Sequence, residues 1–441
     1  MASSTPASQR RKVAAASFIG TCIEWYDFYV FSVGASLVFA TVFFPTVDPI
    51  AGLAASFATY AVGFFARPLG AAIFGSIGDR LGRRRALVMT LVLMGITTCL
   101  TGLLPVYDEI GPWAPILLVT LRIIQGVAVG GEWGGAVLMA VEHAPEESKA
   151  FYGGFVQLGN PAGGMLATGV FSFLSLFGEE ALLSWAWRVP FLISAVLIVV
   201  GLVIRTKVEE SPVFENSSTP QMHPLRDAIV HNWRPLLLAI GIVAVPSGGY
   251  YITSTYFTSF ATEDGGLNMT LVLNILTIGS FVELIATIPT AWLADRLGKI
   301  RVLVAGIVGL GVFGAITFLV VASGTGGPSL LIAVFVLLRL AGCSAYAALA
   351  GVLAQMFPPK ARYTSISLGY QVGAAIFGGL SPLAATLLVG ATGSVWAVVG
   401  LLAVLCMLAA ACASAAPQLR DKLADPAPPA EPRSTRAEFG K

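Results

Sequence analysis

"GDRLGRRR" fills residues 78–85, and "ADRLGKIR" fills residues 294–301. The offset from Gly78 to Ala294 is 216 residues, about half of the 441-residue chain. Each stretch follows a long apolar run. Two further pairs keep nearly the same offset and the same order: "LRIIQG" at 121 with "LRLAGC" at 338, and "APEESKAFY" at 144 with "FPPKARYTS" at 357. One short match would carry little. Three in register describe a chain built from two halves of like orientation, related by an axis along the membrane normal.

The surroundings of these repeats are apolar. The chain is 56% hydrophobic and 11% charged, with a mean hydropathy of +0.81. A soluble domain carries about 25% charged residues. Twelve apolar runs are long enough to span a bilayer. They lie near 17–43, 51–77, 86–106, 113–142, 150–177, 188–206, 235–261, 269–293, 302–322, 329–356, 363–390 and 394–416. The first follows "QRRK", as a signal peptide would. It contains two acids and has no small-residue cleavage site before the next polar break, so it reads as a retained helix. The expected fold is an all-α membrane protein of twelve helices in two pseudo-symmetric six-helix bundles. Its parts are a cytoplasmic N-terminus (1–16), an N-terminal bundle (17–207), a cytoplasmic central loop (208–234), a C-terminal bundle (235–416) and a disordered cytoplasmic tail (417–441).

Lys and Arg orient it. With the N-terminus inside, all but four of the 26 basic residues fall in cytoplasmic segments, Arg205 and Lys207 among them. The exceptions are Arg67, Arg122 and Arg339 within spans and Arg188 at an outer boundary. Positive residues stay on the cytoplasmic side, so both termini are read as cytoplasmic, in a multi-pass protein of the cell membrane.

Charges inside the spans are costly and tend to serve function. Glu24 and Asp27 lie in "IEWYDFYVF" (23–31), three residues apart on one helix face. From the helix rise, Asp27 and Glu132 each lie roughly 15 Å from the cytoplasmic end of their spans, and Arg67 roughly 16 Å. Arg122 lies further out on the same span as Glu132. Arg67 also maps onto Glu283 at the repeat offset of 216 residues, which directs both toward the cleft between the halves, where such proteins bind substrate. An isolated buried carboxylate takes up a proton, whereas one beside Arg ionises. Arg cannot give up its proton and suits a substrate carboxylate. Asp27, Glu132 and Glu24 are therefore proton-coupling candidates, with Glu24 nearer the cytoplasm and available to a gate residue. Arg67, Arg122, Tyr26, Gln157, Asn160, Glu283, Arg339 and Tyr250 are substrate-binding candidates. Trp25, Tyr26 and Tyr250 read first as packing and second as substrate contacts. "PSGGYY" (246–251) marks an irregular helix.

The basic loops carry gating candidates: Gly75, Asp79, Arg80, Gly82, Arg83 and Arg84 in the first half, Asp295 and Arg296 in the second. Asp79 can sit at the N-terminus of a helix of the opposite half, where the helix dipole favours an anion.

At this point the residues resemble a known family. "GSIGDRLGRRR" (75–85) is similar to the loop motif between spans two and three of the major facilitator superfamily. "LRIIQGVAVGGEWGG" (121–135) is similar to its span-four motif, with the GGEW of one branch. With "EWYDFYVF" (24–31), "FFARPLGAAIFG" (64–75), "WAWRVPF" (185–191) and "VEESPVFE" (208–215), the chain resembles the metabolite:proton symporters from about Val13 to Pro417. That family includes shikimate, α-ketoglutarate, citrate and proline/betaine transporters, and the first span is most similar to the shikimate type. Two features depart. "ADRLGKIR" lacks a full second GDxxGRR, which implies a weaker C-terminal gate. "QLGNPAGG" (157–164) loosely resembles the Gly-Pro motif of antiporters in the same superfamily.

The resulting expectation is a secondary transporter: proton-coupled uptake of a small carboxylate or zwitterion by alternating access. A proton-coupled antiporter or efflux protein is the alternative, and an embedded enzyme or a non-transporting sensor is more remote. The three histidines (143, 223, 231) lie in expected loops, and the five cysteines show no metal or redox spacing. No catalytic residues, metal or cofactor are expected beyond the proton as coupling ion. The expected partners are the small-molecule substrate and the lipid bilayer, with no nucleic acid, for a monomer.

Overall fold

A computed structural model describes residues 7–46, 49–211, 214, 224–325, 327–358 and 361–423. The expectations for the first six residues, most of the central loop and the tail beyond 423 lie outside the described residues. Those residues are almost wholly helical and contain no strand. The helices are α1 (Ala7–Leu37), α2 (Pro49–Leu81), α3 (Arg83–Leu103), α4 (Trp113–Glu142), α5 (Lys149–Gln157), α6 (Gly159–Ser175) and α7 (Arg188–Thr206) in the first half. The second half has α8 (Trp233–Ile242), α9 (Met269–Leu297), α10 (Lys299–Ser323), α11 (Gly327–Met356), α12 (Arg362–Gly373), α13 (Gly379–Thr392) and α14 (Trp396–Leu423). Among the described residues, nine helices are long and apolar enough to cross a membrane. The three remaining expected spans fall on α1, on α2 and on the pair α5–α6, which breaks at Leu158 ahead of Pro161.

The boundaries run past the apolar runs. Helix α1 begins at Ala7, inside the segment read as N-terminal tail, and α14 continues to Leu423, beyond the expected end at 416. The apolar pattern marks where lipid begins; backbone hydrogen bonding can carry a helix further.

Span seven is irregular. After α8 it carries π-helical turns at Ala244–Gly249, Ile252–Tyr256 and Phe260–Asp264. Span eleven carries one at Ala374–Gly378, between α12 and α13. Pro246 cannot donate to the helical ladder, and such turns concentrate at functional sites.

Lipid and core faces separate on α2. Phe65, Leu69 and Ile73, spaced by one turn, are 62%, 58% and 42% exposed, as a lipid face should be. Arg67 and Phe74 on the opposite side are buried. That inner face meets α4 at very short range. A Cβ on Gly70 would overlap the backbone of Val127, and one on Gly130 would overlap the Arg67 carbonyl oxygen. Small residues allow such backbone approach between membrane helices. The short links α2–α3 and α9–α10 also match across the repeat: Gly82 and Gly298 hold φ of +107° and +101°, a region that suits glycine.

The largest buried cluster fills the second half and extends into the first near the basic end. It joins Trp133, Val137 and Ala150 to Leu353, Tyr363, Ile366 and Tyr370. The halves therefore pack together at the end that carries the Asp-Arg loops, and further along the spans Phe64 still meets Tyr251 of the other half, ring centroids 6.1 Å apart.

Gly130→Leu drives a side chain into the α2 backbone and should lower stability by about 3 kcal/mol, the upper range for overpacking. Gly169→Leu, where a Cβ meets nothing within 4 Å, should leave thermal unfolding of the detergent-purified protein unchanged. Equal melting temperatures for the two variants would remove the close crossing from the account.

Candidate functional site

The buried acids of the first half fall into separate environments. Asp27 is fully buried; its carboxylate accepts hydrogen bonds from Thr98 Oγ1 at 2.9 Å and Ser194 Oγ at 2.5 Å. Thr98 Oγ1 accepts from Gln125 Nε2 at 2.7 Å, and Gln125 Oε1 accepts from Arg122 at 2.6 Å. Arg122 lies over the rings of Phe31 and Phe28 at 4.1 and 5.6 Å. This chain of contacts runs among α1, α3, α4 and α7, behind the cleft. Tyr26 is also fully buried and donates to the Pro190 carbonyl at 2.8 Å. Asp27, Arg122 and Tyr26 do not line the central cavity, so Tyr26 and Arg122 stand apart from the other substrate-binding candidates.

Glu132 is paired with Arg205 and accepts from Thr90 Oγ1 at 2.5 Å. Arg205 also donates to the Leu87 carbonyl. The sequence reading leaves Arg205 among cytoplasmic charges; it lies inside the last turn of α7, buried, with its guanidinium directed into the bundle. A long side chain near a span end can reach a full turn inward, which residue counting does not reveal.

Glu24 has a different setting. It is 5% exposed, and its Oε2 has no hydrogen-bond partner among the described residues. It lies in the electrostatic field of Arg67, Arg205, Glu132 and Asp27, and within electrostatic reach of Tyr346 and Tyr370. No ion pair among the described residues joins it to the Asp79 cluster, so the gate-residue reading of Glu24 has no contact behind it.

The central cavity spans about 800 Å³ of space between the halves, open solvent included. Trp25, Arg67, Gln157, Asn160, Tyr250, Glu283 and Arg339 line it, so five of the residues singled out as substrate-facing beside Arg67 meet there. The space continues past Asn160, Tyr250, Glu283 and Arg339 toward Thr168, Thr258 and Leu276, away from the basic end. Arg67 is 7% exposed and lies over the rings of Phe64 and Phe28 at 4.3 and 4.9 Å. No carboxylate among the described residues is within ion-pair distance of it. Across the cavity, Arg339 pairs with Glu283 at 3.2 Å and lies over the Tyr250 ring at 4.8 Å. Asn160 Oδ1 accepts from Tyr29 at 3.1 Å. Gln157 accepts from Trp133 Nε1 at 3.1 Å and donates to the Tyr346 carbonyl of the other half at 2.9 Å. Trp133 stacks on Tyr370 of the other half with centroids 3.8 Å apart, and the Tyr370 and Tyr346 hydroxyls lie 3.2 Å apart. Trp133, Tyr346 and Tyr370 thus close the floor. Sequence reading misses the two tyrosines, because aromatic residues are common throughout the spans.

The basic end closes below this floor. Asp79 accepts from the backbone N–H groups of Tyr363 and Thr364 at 3.3 and 3.0 Å, and from Thr364 Oγ1 at 2.8 Å. It therefore sits at the N-terminus of α12, where dipole and free N–H groups both favour an anion. Gly75 lets the helices meet: a Cβ there would lie 2.7 Å from the Thr364 Cα. Arg83 pairs with Asp79 at 3.3 Å and with Glu142 at 3.5 Å, and Arg362 of the other half reaches Glu142 at 3.6 Å. Glu142 was not singled out, lying at a span boundary. Glu210 of "VEESPVFE" accepts the Arg83 and Arg84 N–H groups at the start of α3. Arg84 donates to the Thr206 carbonyl at 2.5 Å, Arg80 is exposed on the outer side of its helix, and Arg296 lies over Trp292 at 4.0 Å.

The second half repeats the contact. Asp295 accepts from the N–H groups of Ala150 and Phe151 at 2.9 and 2.7 Å, at the start of α5, and pairs with Lys299 at 3.0 Å. The shortened motif "ADRLGKIR" keeps the anion-to-helix contact. Among the described residues, no ion-pair chain in the second half corresponds to Arg83–Glu142–Arg362.

Comparison with known proteins agrees with this architecture. Residues 12–219 match the family model described as sugar (and other) transporter, and residues 266–439 match that of the major facilitator superfamily. The chain is similar to the shikimate transporter of Escherichia coli K12, 41% identical over 87% of this chain and 88% of that one. It is also similar to the proline/betaine transporter of the same organism, 34% identical over 86% of this chain and 78% of that one. The proton:xylose symporter XylE bound to 6-bromo-6-deoxy-D-glucose superposes with a TM-score of 0.74 over 94% of this chain and 96% of that one, at 16% identity, a likeness of fold.

Asp79→Asn removes the anion from the α12 N-terminus and should destabilise the closed basic end by about 1–2 kcal/mol. Cys343 lines the cavity and reports this in a variant whose other cysteines are alanine. An impermeant maleimide applied from the basic side should reach Cys343 roughly ten times faster in Asp79→Asn than in its parent. An unchanged rate would take Asp79 out of the seal.

Proposed function

The chain belongs to the major facilitator superfamily, among its metabolite transporters, and we propose that it takes up a small carboxylate together with a proton by alternating access. The observation that carries the reading is Arg67: a buried, permanently charged guanidinium on the cavity wall, set against aromatic faces, with no carboxylate among the described residues at ion-pair distance. A buried charge left unpaired costs several kcal/mol, so a ligand carboxylate can relieve that cost through a bidentate contact.

Glu24 supplies the proton in this reading. Asp27 is satisfied by Thr98 and Ser194, and Glu132 by Arg205. Only Glu24, of the three candidate acids, has an orphaned carboxylate oxygen and feels the charge of Arg67. With Glu24 protonated, Arg67 is available to the ligand anion. With Glu24 ionised, the two acids compete for one cation. Proton and carboxylate then promote each other's binding, and the linkage is reciprocal. Departure of the anion on the inner side lowers the cost of ionising Glu24, and the proton follows. The concentration of Lys and Arg at the sealed end supports placing that end, and both termini, in the cytoplasm of a cell-membrane protein. On that placement the closed end is the inner one, and the further space beside Asn160 and Tyr250 runs toward the outer side.

A zwitterion is the second reading. Trp25, Tyr250, Tyr251, Tyr346 and Tyr370 surround the cavity with Glu283 at one wall, and aromatic faces attract quaternary ammonium groups. The proline/betaine transporter among the relatives fits that chemistry.

Two measurements test the proposal. In a thermal-shift screen of carboxylates, betaines and amino acids, a ligand of the folded state raises the melting temperature by mass action. Carboxylates should do so in the wild type and fail to in Arg67→Ala; a shift that survives Arg67→Ala contradicts the anion site. In proteoliposomes with an inside-alkaline gradient, shikimate should accumulate and a protonophore should abolish accumulation. Glu24→Gln should keep exchange down a substrate gradient yet lose proton-driven accumulation. Accumulation that ignores the protonophore and requires sodium would overturn proton coupling.

A further inference from the structure

Two arginines face the cavity, and they are held differently. Arg67 has aromatic neighbours and, among the described residues, no carboxylate at ion-pair distance. Arg339 is bound to Glu283 at 3.2 Å. Its guanidinium lies over Tyr250 and Phe335 at 4.8 and 5.2 Å. Gly279 makes room for its stem, since a Cβ there would come within 2.9 Å of the Arg339 side chain. Arg339 is thus fixed in place by rings and close packing as well as by its acid.

Resting on the carboxylate reading of Arg67, we propose that Glu283 is a charge filter: by occupying Arg339 it limits the cavity to one anionic group and selects monocarboxylates over dicarboxylates. A ligand with a second carboxylate near Arg339 meets the charge of Glu283, whose side chain is 13% exposed. It must displace Glu283 or leave one carboxylate unpaired, and both outcomes are costly. Specificity of this kind comes from the repulsive element as much as from the attractive one. A neutral, hydroxylated or cationic remainder meets no such penalty, and a cationic one meets attraction. The filter needs no clash of shape, because it acts through the charge of Glu283 on a second carboxylate.

The test compares wild type, Glu283→Gln and the double variant Glu283→Gln/Arg339→Gln. Gln keeps the volume of Glu and a hydrogen-bond acceptor for Arg339, while the double variant restores the net charge of the wild-type cavity. Apparent affinities are read from concentration-dependent thermal shifts with shikimate and benzoate as monocarboxylates, and with succinate, glutarate and 2-oxoglutarate as dicarboxylates. Glu283→Gln should gain about ten- to a hundredfold in affinity for at least one dicarboxylate, the worth of one charge-assisted pair. The double variant should lose that gain. A merely structural role for Glu283 would weaken all ligands alike and would not reverse on removing Arg339.

Wild-type protein gives the same answer without a substitution. Monomethyl succinate and monomethyl glutarate carry one charge on nearly the same skeleton, and should bind more tightly than the parent diacids. Equal binding of diacid and half-ester overturns the filter. So does a Glu283→Gln protein that binds monocarboxylates through Arg67 and gains no dicarboxylate; the anion site itself then stands. If no carboxylate of any kind stabilises the wild type, the anion site falls and the filter falls with it.

Discussion

A charge in the hydrocarbon layer must find a partner inside the protein, and the arrangement of this molecule follows from how each charge does so. Glu132 takes Arg205, Glu283 takes Arg339, and Asp27 takes two hydroxyls. Asp79 and Asp295 take the free N–H groups of helices in the opposite half. The first three settle within their own half and fix helix orientation. The last two cross between halves and hold one end shut. What is left over is Arg67 beside Glu24, and the proposed chemistry lives on that remainder.

The floor of the cavity belongs to two structures at once. Gln157 and Tyr370 line the space a ligand would fill, and they also carry the contacts to Trp133 and Tyr346 that join the halves. A ligand that competes for those hydrogen bonds touches the seal directly. Below it, each Asp-to-helix contact is worth about 1–2 kcal/mol, small enough to break and reform during transport. The π-helical turns at Ala244–Gly249, Ile252–Tyr256 and Ala374–Gly378 contribute Pro246, Ser247, Thr253 and Ala374 to the same cavity, where the helix is already irregular.

Much of this was legible in the sequence because it rests on composition and local rules. Apolar runs give the spans, and Gly-x-x-x-Asp at a span end gives an anion aimed across the cleft. The repeat offset pairs Arg67 with Glu283, and both line the cavity. Facing was less legible. Glu24 and Asp27 are three residues apart, which on a helix still leaves about 60° between them. That angle suffices to turn Asp27 toward Thr98 and Ser194 and leave Glu24 near Arg67. The reach of Arg205 inward from the last turn of α7 was hidden for a related reason: a span boundary read from hydropathy does not say where a long side chain ends. The tyrosines of the floor carry no local signal at all, since their role comes from packing between halves distant in sequence.

The central claim is that one proton, held on Glu24, and one carboxylate, held by Arg67, bind in a linked way. Calorimetric titration of the best carboxylate ligand in buffers of different ionisation enthalpy measures that linkage at equilibrium, apart from any transport step. The account predicts net proton uptake on binding above the pH at which free Glu24 ionises, and its loss in Glu24→Gln with binding retained. Carboxylate binding without proton uptake in the wild type, or the same uptake in Glu24→Gln, would contradict it.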